Sequence, residues 1–155
     1  MSTKTYSIRF KQIDLLNTSL ESPPDEEIEN IGNLKYKFNY LVDIRLQSRE
    51  NSAAVFTSLT ILTEADKKLA FIKTVCVFEI PEFQDIFKKT DDNVYQMPID
   101  LEIILKNTSL STTRGIMFSE LRGTYLHNAI LPIVDLTTQI KSRHEKSRPS
   151  ASSTD

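Results

Sequence analysis

The sequence predicts an α+β fold: a four-stranded antiparallel sheet, then a long helix, an irregular apolar connection and a short C-terminal helix. Three observations carry this. Residues 36–46 alternate between apolar and polar side chains at every position but Leu41. Segments 5–12, 53–63 and 68–80 are also strand-like in composition, and all precede the first helical pattern. Apolar side chains spaced by three and four residues begin only after Pro98.

The first strand is expected over residues 5–12, with Tyr6, Ile8 and Phe10 opposite Arg9 and Lys11. Residues 21–33 carry Pro23, Pro24 and five acidic side chains, the composition of a solvated connection. In the second strand Tyr36, Phe38, Tyr40, Val42, Ile44 and Leu46 share one face. Lys37, Asn39, Asp43 and Arg45 share the other, with only Leu41 out of pattern. The third strand, 53–63, is rich in Val, Thr, Ile and Phe, and Glu64 to Lys67 form a hairpin turn to the fourth. That fourth strand, 68–80, differs in kind. Ala70, Ile72, Cys76, Phe78 and Ile80 occupy one face, and Leu69, Phe71, Val75 and Val77 the other. A strand apolar on both faces is usually covered on both. One helix cannot cover both sides of a four-stranded sheet, so a second subunit or a ligand is expected to do the rest.

Residues 83–95 connect sheet to helix and are expected to be mobile at 88–93. Pro98 suits the first turn of a helix. Leu101, Ile104, Leu105 and Thr108 then line one face. Five of the six residues from Thr108 to Thr113 are Ser or Thr, which are poor helix formers. Leu110, Arg114, Met117 and Leu121 nevertheless keep the spacing, which extends the helix to about Glu120. Small residues (Thr108, Ser111, Thr112, Gly115, Ser119) run along another face, where a second helix can approach closely. Thr108, Thr112 and Gly115 are therefore the candidate oligomer-interface positions. Gly123 ends the helix. A short polar helix follows over 136–146. Residues 1–146 form one domain, and 147–155 read as a compositionally disordered tail.

Bulk properties exclude several classes. A net charge of -2 offers no general attraction to phosphate backbones or anionic membranes. The longest stretch without a polar side chain, 129–134, is far short of the roughly 20 residues that span a bilayer. A single cysteine, Cys76, excludes an intrachain disulfide and fits a reducing compartment, so the expected location is the cytoplasm. Three glycines supply no phosphate-cradling loop, and two histidines with one cysteine do not assemble a standard zinc site. No cofactor is expected. A Cys76–His127 nucleophilic pair is arithmetically possible, but Cys76 sits mid-strand among apolar neighbours, the setting of an inert small hydrophobe. His144, Glu79, Glu102 and Glu120 read as solvated helix or strand-end residues. The basic residues Lys141, Arg143, Lys146 and Arg148 have no interleaved aromatics and do not make a nucleic-acid surface. No enzyme is expected.

One stretch belongs to no regular element: residues 121–136, LRGTYLHNAILPIVDL, apolar yet interrupted by Pro132. Its step Arg122-Gly123-Thr124-Tyr125, with Pro132-Ile133 seven positions after the aromatic, resembles the SecB family of protein-export chaperones. There, four antiparallel strands precede a long helix that ends in a similar Arg-Gly step. Cys76-Val77-Phe78-Glu79-Ile80 resembles that family's fourth-strand motif. The family commonly has a second proline where this chain has Leu126, an aliphatic-Asn-Phe sequence where it has Ile133-Val134-Asp135, and its helical arginine one position before Arg114. The resemblance is to a divergent SecB-like protein, and such relatives include chaperones dedicated to toxin–antitoxin systems.

The resemblance implies an ATP-independent holdase that binds unfolded polypeptides in a hydrophobic groove and assembles as a homotetramer, a dimer of dimers. It serves protein export, with the export motor ATPase as a partner, or one dedicated partner such as an antitoxin. On this reading Tyr125, Leu126, Ile130, Leu131, Pro132 and Phe78 contact the client. Alternation pairs Tyr125 with Leu131 on one side and Leu126 with Ile130 on the other. Read from the residues alone, the same segment suits a cap on the protein's own core better than a groove wall; it is the resemblance that favours the groove. A small-molecule enzyme is a distant third reading.

Overall fold

The computed structural model describes residues 4–25 and 32–147. Four strands, β1 (Arg9–Leu20), β2 (Tyr36–Gln47), β3 (Ser52–Thr63) and β4 (Lys68–Glu79), form one antiparallel sheet in the order β1-β4-β3-β2. A one-turn helix α1 (Phe83–Ile86) and a small ladder of β5 (Lys88–Lys89) and β6 (Tyr95–Gln96) lead into α2 (Ile99–Glu120). The connection expected to be mobile is thus tied up, with Thr90 N–H donating to the Val94 carbonyl at 2.8 Å. Helix α3 (Thr137–Ser147) closes the described chain. The expected disordered tail lies almost wholly outside the described residues, as does the middle of the acidic connection.

Strands β2 and β3 fall within a residue of expectation, because their pairing is unbroken from Tyr36↔Thr63 to Gln47↔Ser52. β1 does not. It begins at Arg9 and continues to Leu20, pairing with β4 through two register shifts, at 10–12 and 15–17. Each bulge inserts an extra residue and resets the two-residue period. The alternation that marks β2 is therefore absent from β1, and its second half reads as no strand at all.

A bulge also corrects β4. The register slips between Ile61 and Leu62, and Leu69 turns into the core beside Ala70 and Ile72 instead of joining Phe71 and Val75 on the outer face. That outer face finds cover within the chain. The Arg45 guanidinium lies 4.8 Å from the Phe56 ring centre, with the Lys73 ammonium at 6.0 Å, and Lys68 stands 5.3 Å from Phe71. Long cationic stems shield apolar surface while their heads stay wet. The outer face of β4 therefore gives no argument for a second subunit.

Helix α2 packs across the other face, over β2, β3 and β4. Its buried stripe is Leu101, Leu105, Ser109, Thr113 and Met117, with Glu102, Lys106 and Leu110 beside it. Ile104, expected on that stripe, is exposed. Ser109 and Thr113 are fully buried against the sheet: the Thr113 hydroxyl donates to the Ser109 carbonyl at 2.8 Å and so accepts from Thr74 at 2.7 Å. Thr113 thus satisfies its hydroxyl on the helix backbone, as small hydroxylated side chains can. Each fully buried leucine of α2 contributes roughly 1.5–3 kcal/mol. One core cluster gathers Leu59, Ile61, Leu110 and Met117 with the segment after α2; the other gathers Val55, Phe78, Leu101 and Leu105 with Phe83 of α1.

Candidate functional site

After α2, Gly123 takes a φ of 77°, a value that favours glycine. A run of turns follows, with Thr124, His127 and Ala129 N–H groups donating to the carbonyls of Leu121, Thr124 and Leu126. From Ile130 to Leu136 the chain has no regular structure and is held by side chains. The Arg114 guanidinium donates to the carbonyls of Leu131 at 2.9 Å and Pro132 at 3.0 Å. Asn107 Oδ1 accepts from Leu136 N–H, and the Tyr125 hydroxyl donates to the Glu21 carbonyl at 2.7 Å. Arg114 therefore does for this segment what a ladder of backbone hydrogen bonds does for a strand.

These anchors decide which side chains face outward. Leu126 is 0% exposed and Leu131 2%, and both join the core cluster with Ala129 and Leu136. Ile130 is 52% exposed and Ile133 92%. The expected pairing of Tyr125 with Leu131 and of Leu126 with Ile130 is wrong: Leu126 and Leu131 point in, and Ile130 and Ile133 point out. The turns between Thr124 and Ala129 break the two-residue period on which the pairing rested. Tyr125 is half-buried and Pro132 exposed. Phe78 lies in the other core cluster, 2% exposed beneath the Phe10 ring at 4.8 Å, so it does not join this strip. Of the interface candidates, Thr108 and Thr112 are half-buried and Gly115 is exposed; nothing lies within 4 Å of where a Gly115 Cβ would stand.

A row of side chains not singled out from the sequence forms the facing wall. The helix-side residues of β2, Tyr36, Phe38, Tyr40 and Val42, are only half-buried and pack on the same cluster as Leu126, Leu131 and Val134. β2 is an edge strand, with no neighbour beyond it in the sheet. Its alternation was legible, but sequence did not tell an edge row from a core row. The half-buried β2 row and the irregular segment thus pack on one shared core cluster, and a cleft of about 240 Å³ opens between β2 and α3.

At that cleft sits a polar cluster that sequence reading missed. Glu102, expected to be solvated, has a side chain 7% exposed and three partners: ion pairs with Lys106 at 2.9 Å and with Arg143, and His144 Nε2 within hydrogen-bond distance at 2.9 Å. Burial pushes its pKa up, but hydrogen bonds from His144, Lys106 and Arg143 outweigh burial and hold it at about 2. The cluster fastens α3 to α2, assisted by buried Leu136 and Ile140. His144 is accordingly a structural partner and not a solvated residue. The spacing of Glu102 and Lys106 at i,i+4 was the only available sign; the partners from α3 are more than forty residues away.

Cys76 is fully buried under α2, and burial raises its thiol pKa against hydrogen bonds involving Ser109 and Thr112 that lower it. His127 lies exposed on the segment after α2, with Nδ1 2.9 Å from its own turn at the Thr124 carbonyl. The two do not form a nucleophilic pair.

No family model matches the chain, and no curated protein sequence matches it. A solved structure does. The Mycobacterium tuberculosis Rv1957 SecB-like chaperone, in complex with a ChAD peptide from the Rv1956 HigA1 antitoxin, aligns at a TM-score of 0.54. The alignment covers 82% of this chain and 89% of that one, at 13% identity. The fold is SecB-like. At that identity the likeness is one of architecture: the antiparallel sheet, long helix and short final helix of this chain follow the SecB-like plan. Among the described residues, no helix is long and apolar enough to cross a membrane, and no group of three or more His, Cys, Asp or Glu side chains is placed to hold a metal ion.

Proposed function

We propose that this protein is a polypeptide-binding chaperone that holds clients, without nucleotide, in the trough between β2 and residues 121–136. The observation that carries this reading is the split in the segment: Leu126 and Leu131 anchor it while Ile130 and Ile133 stand out beside a half-buried aromatic row. Apolar burial is non-directional and contributes ~25 cal/mol per Å2 whatever the client's sequence. Tyr125, Ile130, Pro132 and Ile133 are the client-facing residues of the segment; Leu126 and Leu131 support them.

Two versions of this role differ in breadth. A general holdase receives many unfolded chains in the cytoplasm, for export or a related task, with the export motor ATPase as its partner. An adaptor serves one polypeptide, such as an antitoxin. The second is supported at least as well, since the SecB-like structural neighbour is a complex with an antitoxin peptide. Assembly into a homotetramer, a dimer of dimers, is part of the proposal. It is supported by exposed Phe10, Ile13, Leu15 and Leu20 on β1 and by the small-residue face of α2 at Thr108, Thr112 and Gly115.

The test is suppression of aggregation of several unrelated unfolded proteins, without nucleotide, by the wild type and by Ile133→Ser. A surface change of this kind shifts stability by no more than ~0.5 kcal/mol, so a weakened variant reports lost client contact. Protection of all clients supports the general holdase; tight binding of a single partner peptide with no protection supports the adaptor. Full activity in an Ile130→Ser, Ile133→Ser double variant would place the groove elsewhere.

A further inference from the structure

The cleft at the α3 end of the trough has a composition the rest of the trough lacks. Its walls are apolar, from Val42, Leu136 and Ile140, with Tyr40 at the rim. Lys106 and Arg143 also line it. Lys106 is 8% exposed, and its ammonium has Glu102 as its one partner among the described residues. An ammonium carries three protons, so two donors of a buried lysine remain without a protein acceptor. Arg143 spends one nitrogen on the same carboxylate, and its side chain is 60% exposed. The Tyr40 hydroxyl accepts from Gln139 at 3.2 Å and keeps its own proton to donate. Both Glu102 oxygens are occupied. Two cations face one carboxylate here, and the spare hydrogen-bonding capacity of Lys106, Arg143 and Tyr40 is for donation.

We infer that this cleft is a carboxylate-binding subsite of the trough, which takes a carboxylate carried next to an apolar side chain of a bound polypeptide. The inference rests on the polypeptide-binding reading and adds a chemical preference to it. The apolar side chain packs between Val42, Leu136 and Ile140, and the carboxylate accepts from Lys106, Arg143 and Tyr40. A charge-assisted bond to a buried ammonium is about twice as strong as a neutral one. Two sources present this chemistry: a polypeptide C-terminus ending in an aliphatic residue, and an internal Asp or Glu beside one.

The full chain is titrated by fluorescence anisotropy with three labelled octapeptides: one ending in Leu as the free acid, the same peptide as the C-terminal amide, and an amidated peptide with Asp before the last Leu. The free acid or the Asp peptide should bind about tenfold more tightly than the plain amide, a 1.4 kcal/mol difference. Whichever of the two is favoured identifies the source. Lys106→Met should remove the difference between the favoured peptide and the amide; Arg143→Gln, at a largely exposed position, should reduce the difference without touching the core. Equal wild-type affinity for all three peptides overturns the subsite, Lys106 then being merely hydrated, while leaving polypeptide binding intact. No binding of any of the three peptides overturns the subsite together with the general-holdase version of the reading.

Discussion

The two edge strands of the sheet, β1 and β2, have the same length and opposite surroundings. Both direct an apolar row toward the side on which α2 lies. The β2 row, from Tyr36 to Leu46, is half-buried throughout, because α2, α3 and the irregular segment crowd against it. The β1 row stands clear of α2: Phe10, Ile13, Leu15 and Leu20 are between 39% and 47% exposed. Natural edge strands are usually blunted against further pairing. Here one face of β2 is half-covered by its own chain, and it is along this face that the client trough is proposed. β1 carries bulges but no cover. The difference teaches where each proposed activity belongs: polypeptide binding at β2, and assembly with a second copy at β1 and the adjoining face of α2.

The largest expected effect breaks the β2 side. Leu126→Ala removes a fully buried side chain that joins the irregular segment to the core, and should cost ~2–5 kcal/mol in thermal or denaturant unfolding. A cost within surface-substitution range would mean that the segment does not depend on this anchor and that the trough has no fixed wall.

Acid sharpens the comparison next. Glu102 has a folded pKa of about 2 against an ordinary value of 4.5, so its contribution to stability is present above pH 4.5 and is lost as pH falls toward 2. That contribution is about 3 kcal/mol at most. Glu102→Gln should flatten this part of the stability–pH curve. Since the cluster fastens α3, amide exchange should rise first in α3 and at β2, and later at β1.

The β1 side gives a smaller effect, confined to assembly. Gly115 is exposed and has open space at its Cβ position, so Gly115→Leu should leave the melting of an isolated chain nearly unchanged. At a close helix–helix interface, added bulk typically costs ~1–3 kcal/mol. Light scattering across micromolar concentrations should therefore show the variant dissociating where the wild type remains tetrameric. A wild type that is monomeric at those concentrations removes the proposed assembly altogether.

Much of the fold was legible because regular pairing preserves a local period. β2, β3, the hairpin turn at Glu64 to Lys67 and both main helices follow from alternation, from three-and-four spacing, and from Pro98 and Gly123. The identity of residues 121–136 as an apolar segment outside regular structure was likewise plain. What the sequence by itself determined was which stretches pair, coil and stop, because those are settled by neighbours a few residues away. Only the tertiary structure decided the rest. Bulges at 10–12, 15–17 and 61–62 reset side-chain parity, which is how the second half of β1 escaped notice and how Leu69 changed face. Arg114 and Asn107, reaching across from α2, chose Leu131 to face inward and left Ile133 outside. Glu102 became a buried ion because Arg143 and His144 arrive from a helix some forty residues on, and a charge keeps its ionisation in a core only when distant partners compensate its lost hydration.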